Sequence, residues 1–181
     1  MDPRAAADAF DTLGVEARFD LDDKALEARV RELSRALHPD RYVDAPPAER
    51  RMALGRAIDV NAAFRALRDP VLRAEALLRR AGVEVNERTE PPASPALLMQ
   101  AMEAREELAD AAQARSIEKV AAIAARAKAR KAAVSADLAS GFAAAGADVG
   151  ELTALLPKLG ELRYVRRLLD EVGAIEERLS P

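Results

Sequence analysis

The sequence predicts an all-α protein, and three observations carry that expectation. Apolar residues recur at spacings of three and four over long stretches, whereas alternating apolar and polar runs are scarce. Alanine supplies much of the 50% apolar content and aromatic residues only 3%, a balance that favours helices over sheets. The prolines fall at the ends of the periodic stretches, apart from Pro157.

Taken in order, Arg4 to Leu13 reads as a short helix ended by Gly14, with Phe10 and Leu13 facing inward. Asp22 then has the character of an N-cap, and Leu21 can staple onto Leu26 across the first turn. The helix it opens should run to about Leu37. Leu26, Val30, Leu33 and Leu37 form one stripe, and Lys24, Arg31 and Arg35 fall on the opposite face. Leu37-His38-Pro39-Asp40-Arg41 interrupts the pattern: proline cannot continue a helix, so a polar loop is presented between two helices. Pro46-Pro47 restarts a helix that reaches about Arg68, with a seam of Ala53, Ala57, Val60, Phe64 and Leu67. Asp69-Pro70 opens a further short helix, Val71 to Ala81, which Gly82 closes.

The polar, proline-bearing stretch from Val83 to Ser94 reads as a linker, which divides the chain into residues 1–82, 83–94 and 95–181. Ser94-Pro95 begins the first of three long helices, at about 95–114, 117–145 and 149–179, and a three-helix antiparallel bundle is the economical arrangement. The middle helix carries Ile117, Val120, Ala124, Ala127, Val134, Leu138 and Phe142, interrupted by Lys131. The last carries Leu152, Leu156, Leu159, Leu162, Val165, Leu169, Val172, Glu176 and Leu179, with Asp148 and Glu151 as a capping box. Pro157 inside that pattern predicts a kink or a delayed start near Leu159.

Composition excludes several functions. The formal net charge of −3 and pI of about 5.4 argue against non-specific binding to nucleic acid or anionic membranes. The cluster Arg126, Lys128, Arg130 and Lys131 has no interleaved aromatics and reads as a solvated face. With no cysteine and one histidine, a transition-metal site lacks ligands, so no metal or cofactor is expected. The absence of thiols suits a reducing cytoplasm, and neither a secretory leader nor an apolar run near the roughly 20 residues of a membrane span is visible. A cytoplasmic location is expected. No nucleophile elbow or phosphate loop is present, and Asp40, the acid beside His38, shares its tight loop, so the chain is not expected to be an enzyme.

Phe10-x-x-Leu13-Gly14-Val15, the helix with a basic face, His38-Pro39-Asp40-Arg41-Tyr42, and Val60-Asn61-Ala62-Ala63-Phe64-x-x-Leu67-x-Asp69-Pro70 together resemble a J-domain. The resemblance implies that His38, Pro39 and Asp40, supported by Lys24, Arg31 and Arg35, dock on a heat-shock-seventy class chaperone, HscA-like or DnaK-like, and stimulate its ATP hydrolysis. Farther on, Arg73-Ala74-Glu75-x-Leu77-Leu78, Leu98-Met99-x-x-Met102-Glu103-x-Arg105-Glu106-Glu107-Leu108 and Leu159-x-x-Leu162-Arg163-Tyr164 resemble the bacterial type of the HscB family of iron-sulfur assembly co-chaperones. Pro157 and Gly160 depart from that family's pattern.

The residues of the first bundle helix point to a binding surface independently. Leu97, Ala101, Ala104, Leu108 and Ala111 make a core seam, leaving Leu98, Met99, Met102, Glu103, Glu106 and Asp110 on an adjacent broad face. Apolar residues mixed with acids beyond the core stripe suit a partner, and methionine adapts to irregular surfaces. Tyr164 is expected to point away from its helix seam as an exposed aromatic. The family resemblance implies that these residues bind an IscU-like iron-sulfur scaffold protein, which carries the cluster itself. A J-domain co-chaperone for another client and a passive helical scaffold remain the alternatives.

Overall fold

The computed structural model describes residues 9–86 and 92–179. Residues 4–8 of the first expected helix and 87–91 of the expected linker lie outside the described residues. The chain divides into two compact units, Met1–Val85 and Asn86–Pro181. Every element among the described residues is helical.

The first unit contains α1 (Ala9–Leu13), α2 (Asp23–Ala36), a 3-10 turn (Pro39–Tyr42), α3 (Pro47–Arg68) and α4 (Pro70–Arg80). Local chemistry sets the boundaries. Asp22 Oδ1 accepts the N–H groups of Lys24 and Ala25 at 2.8 and 3.2 Å, which caps α2. Asp69 does the same for Val71 and Leu72, with Pro70 at the first position of α4, where a missing N–H costs nothing. Gly82 takes φ of +83° past the end of α4, a left-handed conformation that favours glycine. Val83, the first residue of the expected linker, is buried and its N–H bonds Leu78 O at 2.9 Å.

The α2–α3 hairpin closes over Phe10 and Leu13 of α1, and Leu26, Val30, Val60, Ala63 and Leu67 complete the core. The α3 seam departs from expectation: Ala57 and Phe64 are half-buried, whereas Ala63 and Ala66 are buried. Because α3 packs against α1, α2 and α4, its buried arc is wider than one three-four stripe.

Arg73 on α4 is only 6% exposed yet charged. Its guanidinium donates to Leu67 O at 2.5 Å, Phe19 O at 3.0 Å and Asp23 Oδ1 at 3.1 Å. One side chain thus joins the end of α3, the start of α2 and the segment before it. Replacing Arg73 with methionine keeps the volume but orphans two carbonyls, at an expected cost of about 3 kcal/mol. For a unit of this size that lowers the melting temperature by roughly 10–20 °C. Chemical denaturation checks it, and a loss below about 1 kcal/mol counts against the clamp.

The second unit is a bundle of α5 (Pro95–Gln113), α6 (Ile117–Ala145) and α8 (Leu156–Leu179), with the single turn α7 (Val149–Thr153) between the last two. Ser94 caps α5 and Asp148 caps α7, accepting Glu151 N–H at 3.0 Å. Pro157 neither kinks a continuous helix nor delays the start to Leu159. The chain breaks at Ala154–Leu155, and Pro157 falls in the first turn of α8, where its absent N–H removes no helical bond. Leu155 then folds toward α6 above Gly141, where an added Cβ would meet the Leu155 side chain at 2.5 Å.

The core joins Leu108 and Ala111 to Val120, Ile123, Ala124 and Ala127, and to Val165, Leu168, Val172 and Ile175. Five expected core positions on α6 and α8 shift, Phe142 and Leu179 being only half-buried. Ile117 is exposed, whereas Ile123 is buried. Glu176 is exposed and Leu169 half-buried, whereas Leu168 and Ile175 are buried. Helix α8 faces both α5 and α6, so its buried arc turns into the groove between them instead of following a strict seven-residue repeat. The basic cluster on α6 answers acids on its neighbours: Arg126 pairs with Glu107 and Arg130 with the buried Glu161.

Candidate functional site

At the tip of the α2–α3 hairpin, Pro39 begins the 3-10 turn with His38 as its N-cap. The Asp40 N–H donates to His38 Nδ1 at 3.3 Å, and Arg41 N–H donates to His38 O at 3.0 Å. Tyr42 returns over the end of α2, donating its hydroxyl to Ala36 O at 3.4 Å. The turn is therefore held by its own backbone, by Tyr42 and by the acceptor of the His38 ring, while the His38 and Asp40 side chains remain 59% and 85% exposed.

Lys24, Arg31 and Arg35 are exposed along α2, as their spacing predicts. Glu27 approaches Arg31 at 3.7 Å, a solvent-screened pair worth little. Lys24 and Arg35 form no ion pair among the described residues. Arg29 behaves differently: it turns inward, donating to Leu13 O at 2.9 Å and to Glu32 at 2.8 Å. Its guanidinium ties α1 to α2 and does not join the outer basic face.

On α5, Ala101, Leu108 and Ala111 are buried, with Leu97 and Ala104 half-buried beside them. Leu98, Met99 and Met102 are 52%, 63% and 72% exposed. Glu103, Glu106 and Asp110 are exposed on the same helix, so an apolar strip edged by carboxylates lies beside the core seam.

Tyr164 corrects an expectation. It is half-buried, packs against the bundle core, and donates its hydroxyl to Ala101 O at 3.4 Å. Burial raises the pKa of its hydroxyl above the ordinary value of 10.0. The cause is the start of α8, which packs against α5 instead of leaving its outer side to solvent. Tyr164 and Leu98 border a cleft of about 510 Å³ between α5, α6 and α8, with Arg105, Arg130, Glu161 and Arg167 also on its wall. The strip and the aromatic ring thus meet through Leu98, although the ring is a wall and not a free surface.

No group of three or more histidines, cysteines or carboxylates disposed to hold a metal occurs among the described residues. Nor is any helix of these residues long and apolar enough to cross a membrane. The exposed Leu54 and Ile58 on α3 lie off the Ala53-Ala57-Val60 seam, and sequence reading, which follows that seam, does not single them out.

An outward His-Pro-Asp turn on a helical hairpin, followed by a helical bundle, is the architecture of a J-domain co-chaperone. A family model described as the HSCB C-terminal oligomerisation domain matches residues 93–173. The co-chaperone protein HscB homolog of Burkholderia mallei is 37% identical over 171 residues, covering 94% of this chain and 95% of that protein. The homolog of Bordetella petrii is 47% identical over 102 residues, which span 56% of this chain and 60% of the relative's length. Among solved structures, the chaperone HscB from Vibrio cholerae superposes with a TM-score of 0.80 at 30% identity, covering 95% of this chain and 99% of its own. The chain belongs to the HscB co-chaperone family.

Proposed function

We propose that this chain is an adaptor for iron-sulfur cluster assembly: residues 95–181 bind an IscU-like scaffold protein, residues 1–82 dock on a heat-shock-seventy class chaperone, and 83–94 connect them. The observation that carries this reading is the coexistence of two exposed, differently charged surfaces. One is the His38-Pro39-Asp40 turn beside a basic helix face, and the other is the Leu98-Met99-Met102 strip edged by acids. The chaperone performs the hydrolysis and the scaffold holds the cluster. This chain supplies binding energy.

The physical requirement is differential affinity. A co-chaperone accelerates hydrolysis only by binding the hydrolysis-competent chaperone more tightly than the resting one, and each tenfold of stimulation requires about 1.4 kcal/mol of that difference. A rigid proline turn suits this task, because Asp40 arrives with little conformational entropy left to lose. Its carboxylate can compete for an ion pair inside the chaperone. The α2 cations act earlier, by steering an acidic partner during approach.

Single-turnover ATPase of an HscA-like chaperone, with and without an IscU-like scaffold, tests the proposal. Stimulation by this chain alone and further stimulation with scaffold are expected, and their joint absence rejects it. Recovery with a client other than an iron-sulfur scaffold favours a J-domain co-chaperone of different scope.

Reversing Arg31 and Arg35 to glutamate separates steering from triggering. At low salt, association with the chaperone should slow roughly tenfold and lose most of its salt dependence, with dissociation changed less. Stopped-flow binding over a salt series measures this. Equal association rates at low salt remove these arginines from the docking face.

The family description favours a second reading of the α5 strip, as a surface for self-association. Sedimentation of the chain alone distinguishes it: dimers that dissociate when Met99 and Met102 are replaced assign the strip to a second copy.

A further inference from the structure

Helix α3 carries an outward surface that the adaptor reading leaves unused. Leu54 and Ile58 are 59% and 58% exposed. At 100° per residue, Arg51, Leu54, Ile58 and Arg65 fall within about 60° of arc, roughly 150° from the buried Ala53, Val60 and Leu67. Arg51 and Arg65 are both exposed and form no ion pair among the described residues. A single exposed leucine is ordinary, whereas two aliphatics one turn apart with an unpaired cation toward each end form an amphipathic docking face.

We propose that this face is a second contact for the chaperone, and that it receives an acidic, apolar-centred surface of that partner; the proposal rests on the chaperone-docking reading above. Charge selects the occupant. Helix α3 carries Arg50, Arg51, Arg56, Arg65 and Arg68 against Glu49 and Asp59, an excess of cations that continues the basic character of α2. A scaffold matched to Glu103, Glu106 and Asp110 presents cations, which the α3 arginines repel. Distance supports the same partner. Helix α3 starts shortly after the His-Pro-Asp turn, and a rise of 1.5 Å per residue puts Leu54 about 11 Å and Ile58 about 17 Å beyond Pro47 along its axis. A standard interface of about 800 Å² per partner is roughly 30 Å across, so a contact patch with the turn toward one edge is long enough to include Leu54 and Ile58.

Two attachments have a separable consequence. The turn contains the trigger, and the α3 face holds the J-domain in place, so the face sets the concentration needed for stimulation and not its plateau.

Single-turnover ATPase of an HscA-like chaperone, titrated with this chain, provides the test. Leu54→Ala with Ile58→Ala should raise the half-saturating concentration about tenfold or more, with plateau rate and melting temperature unchanged. Arg51→Glu with Arg65→Glu, which removes no apolar contact, should produce the same shift at low salt and a smaller one at high salt. An unchanged half-saturating concentration in both variants overturns the proposal, as does a lowered plateau without a shift. Reduced scaffold affinity in either variant overturns it in favour of the client. A wild-type dimer that the variants dissociate, seen by sedimentation, overturns it in favour of a second copy. His38→Gln runs in parallel: if wild type itself gives no stimulation, the chaperone reading fails first. Normal wild-type stimulation, lost in His38→Gln and unshifted in the α3 variants, rejects the α3 face alone.

Discussion

His38→Gln should abolish stimulation of the chaperone ATPase while leaving helix content and melting temperature unchanged. Fold retention follows from the geometry of the turn. The His38 side chain is 59% exposed, and its backbone carbonyl, not its ring, receives the Arg41 N–H that closes the turn. Pro39 fixes its own φ whichever residue precedes it, and Tyr42 still anchors to Ala36 O. A surface substitution of this kind stays within about 0.5 kcal/mol in stability. Loss of activity follows from what the imidazole does. Its Nδ1 accepts the Asp40 N–H, which fixes the path of the backbone and with it the aim of the exposed Asp40 carboxylate. Glutamine offers a carbonyl on a longer, freer stem, so the same acceptor geometry must be bought with side-chain entropy. Normal stimulation by the variant removes the turn from the trigger, and a large fall in melting temperature makes His38 structural instead.

The contrast between what the sequence discloses and what it conceals has a physical origin in the range of each interaction. Asp22, Asp69, Ser94 and Asp148 are readable as caps because a cap satisfies N–H groups two or three residues away. The turn at His38 is readable for the same reason, since proline acts on its immediate neighbours. Arg73 is not, because its partners Phe19 and Asp23 lie some fifty positions earlier and no local pattern announces them. Tyr164 eludes the sequence for a similar reason: helical angle alone puts it on the outside, but α5 occupies that side and supplies Ala101 O. Likewise Glu176 fits a seven-residue repeat, yet Ile175 is buried because α8 answers two neighbours at once. The α5 strip was legible because one helix displays two apolar edges, and a bundle position can bury only one of them.

Replacing Leu98, Met99 and Met102 together with alanine should eliminate scaffold binding with little loss of stability. The three side chains are 52%, 63% and 72% exposed, so truncation removes little buried area and opens no cavity. Core truncations instead cost roughly 2–5 kcal/mol each, enough in combination to unfold a bundle of this size. Alanine is also the best helix former, so α5 itself should gain slightly. Binding behaves oppositely, because a few clustered apolar anchors carry most of an interface's energy and truncating each typically costs 2 kcal/mol or more. Losing even two such anchors weakens affinity roughly a thousandfold. Glu103, Glu106 and Asp110 remain to steer a basic partner, so encounters should persist while residence time collapses. Stimulation of the chaperone by this chain alone should survive, since the residues replaced lie outside the J-domain unit, and only the additional stimulation given with scaffold should vanish. A thermal melt and a scaffold titration on one sample decide the matter. A melting temperature lowered by more than about 10 °C returns the three residues to the core, and unchanged scaffold affinity moves the client site off α5.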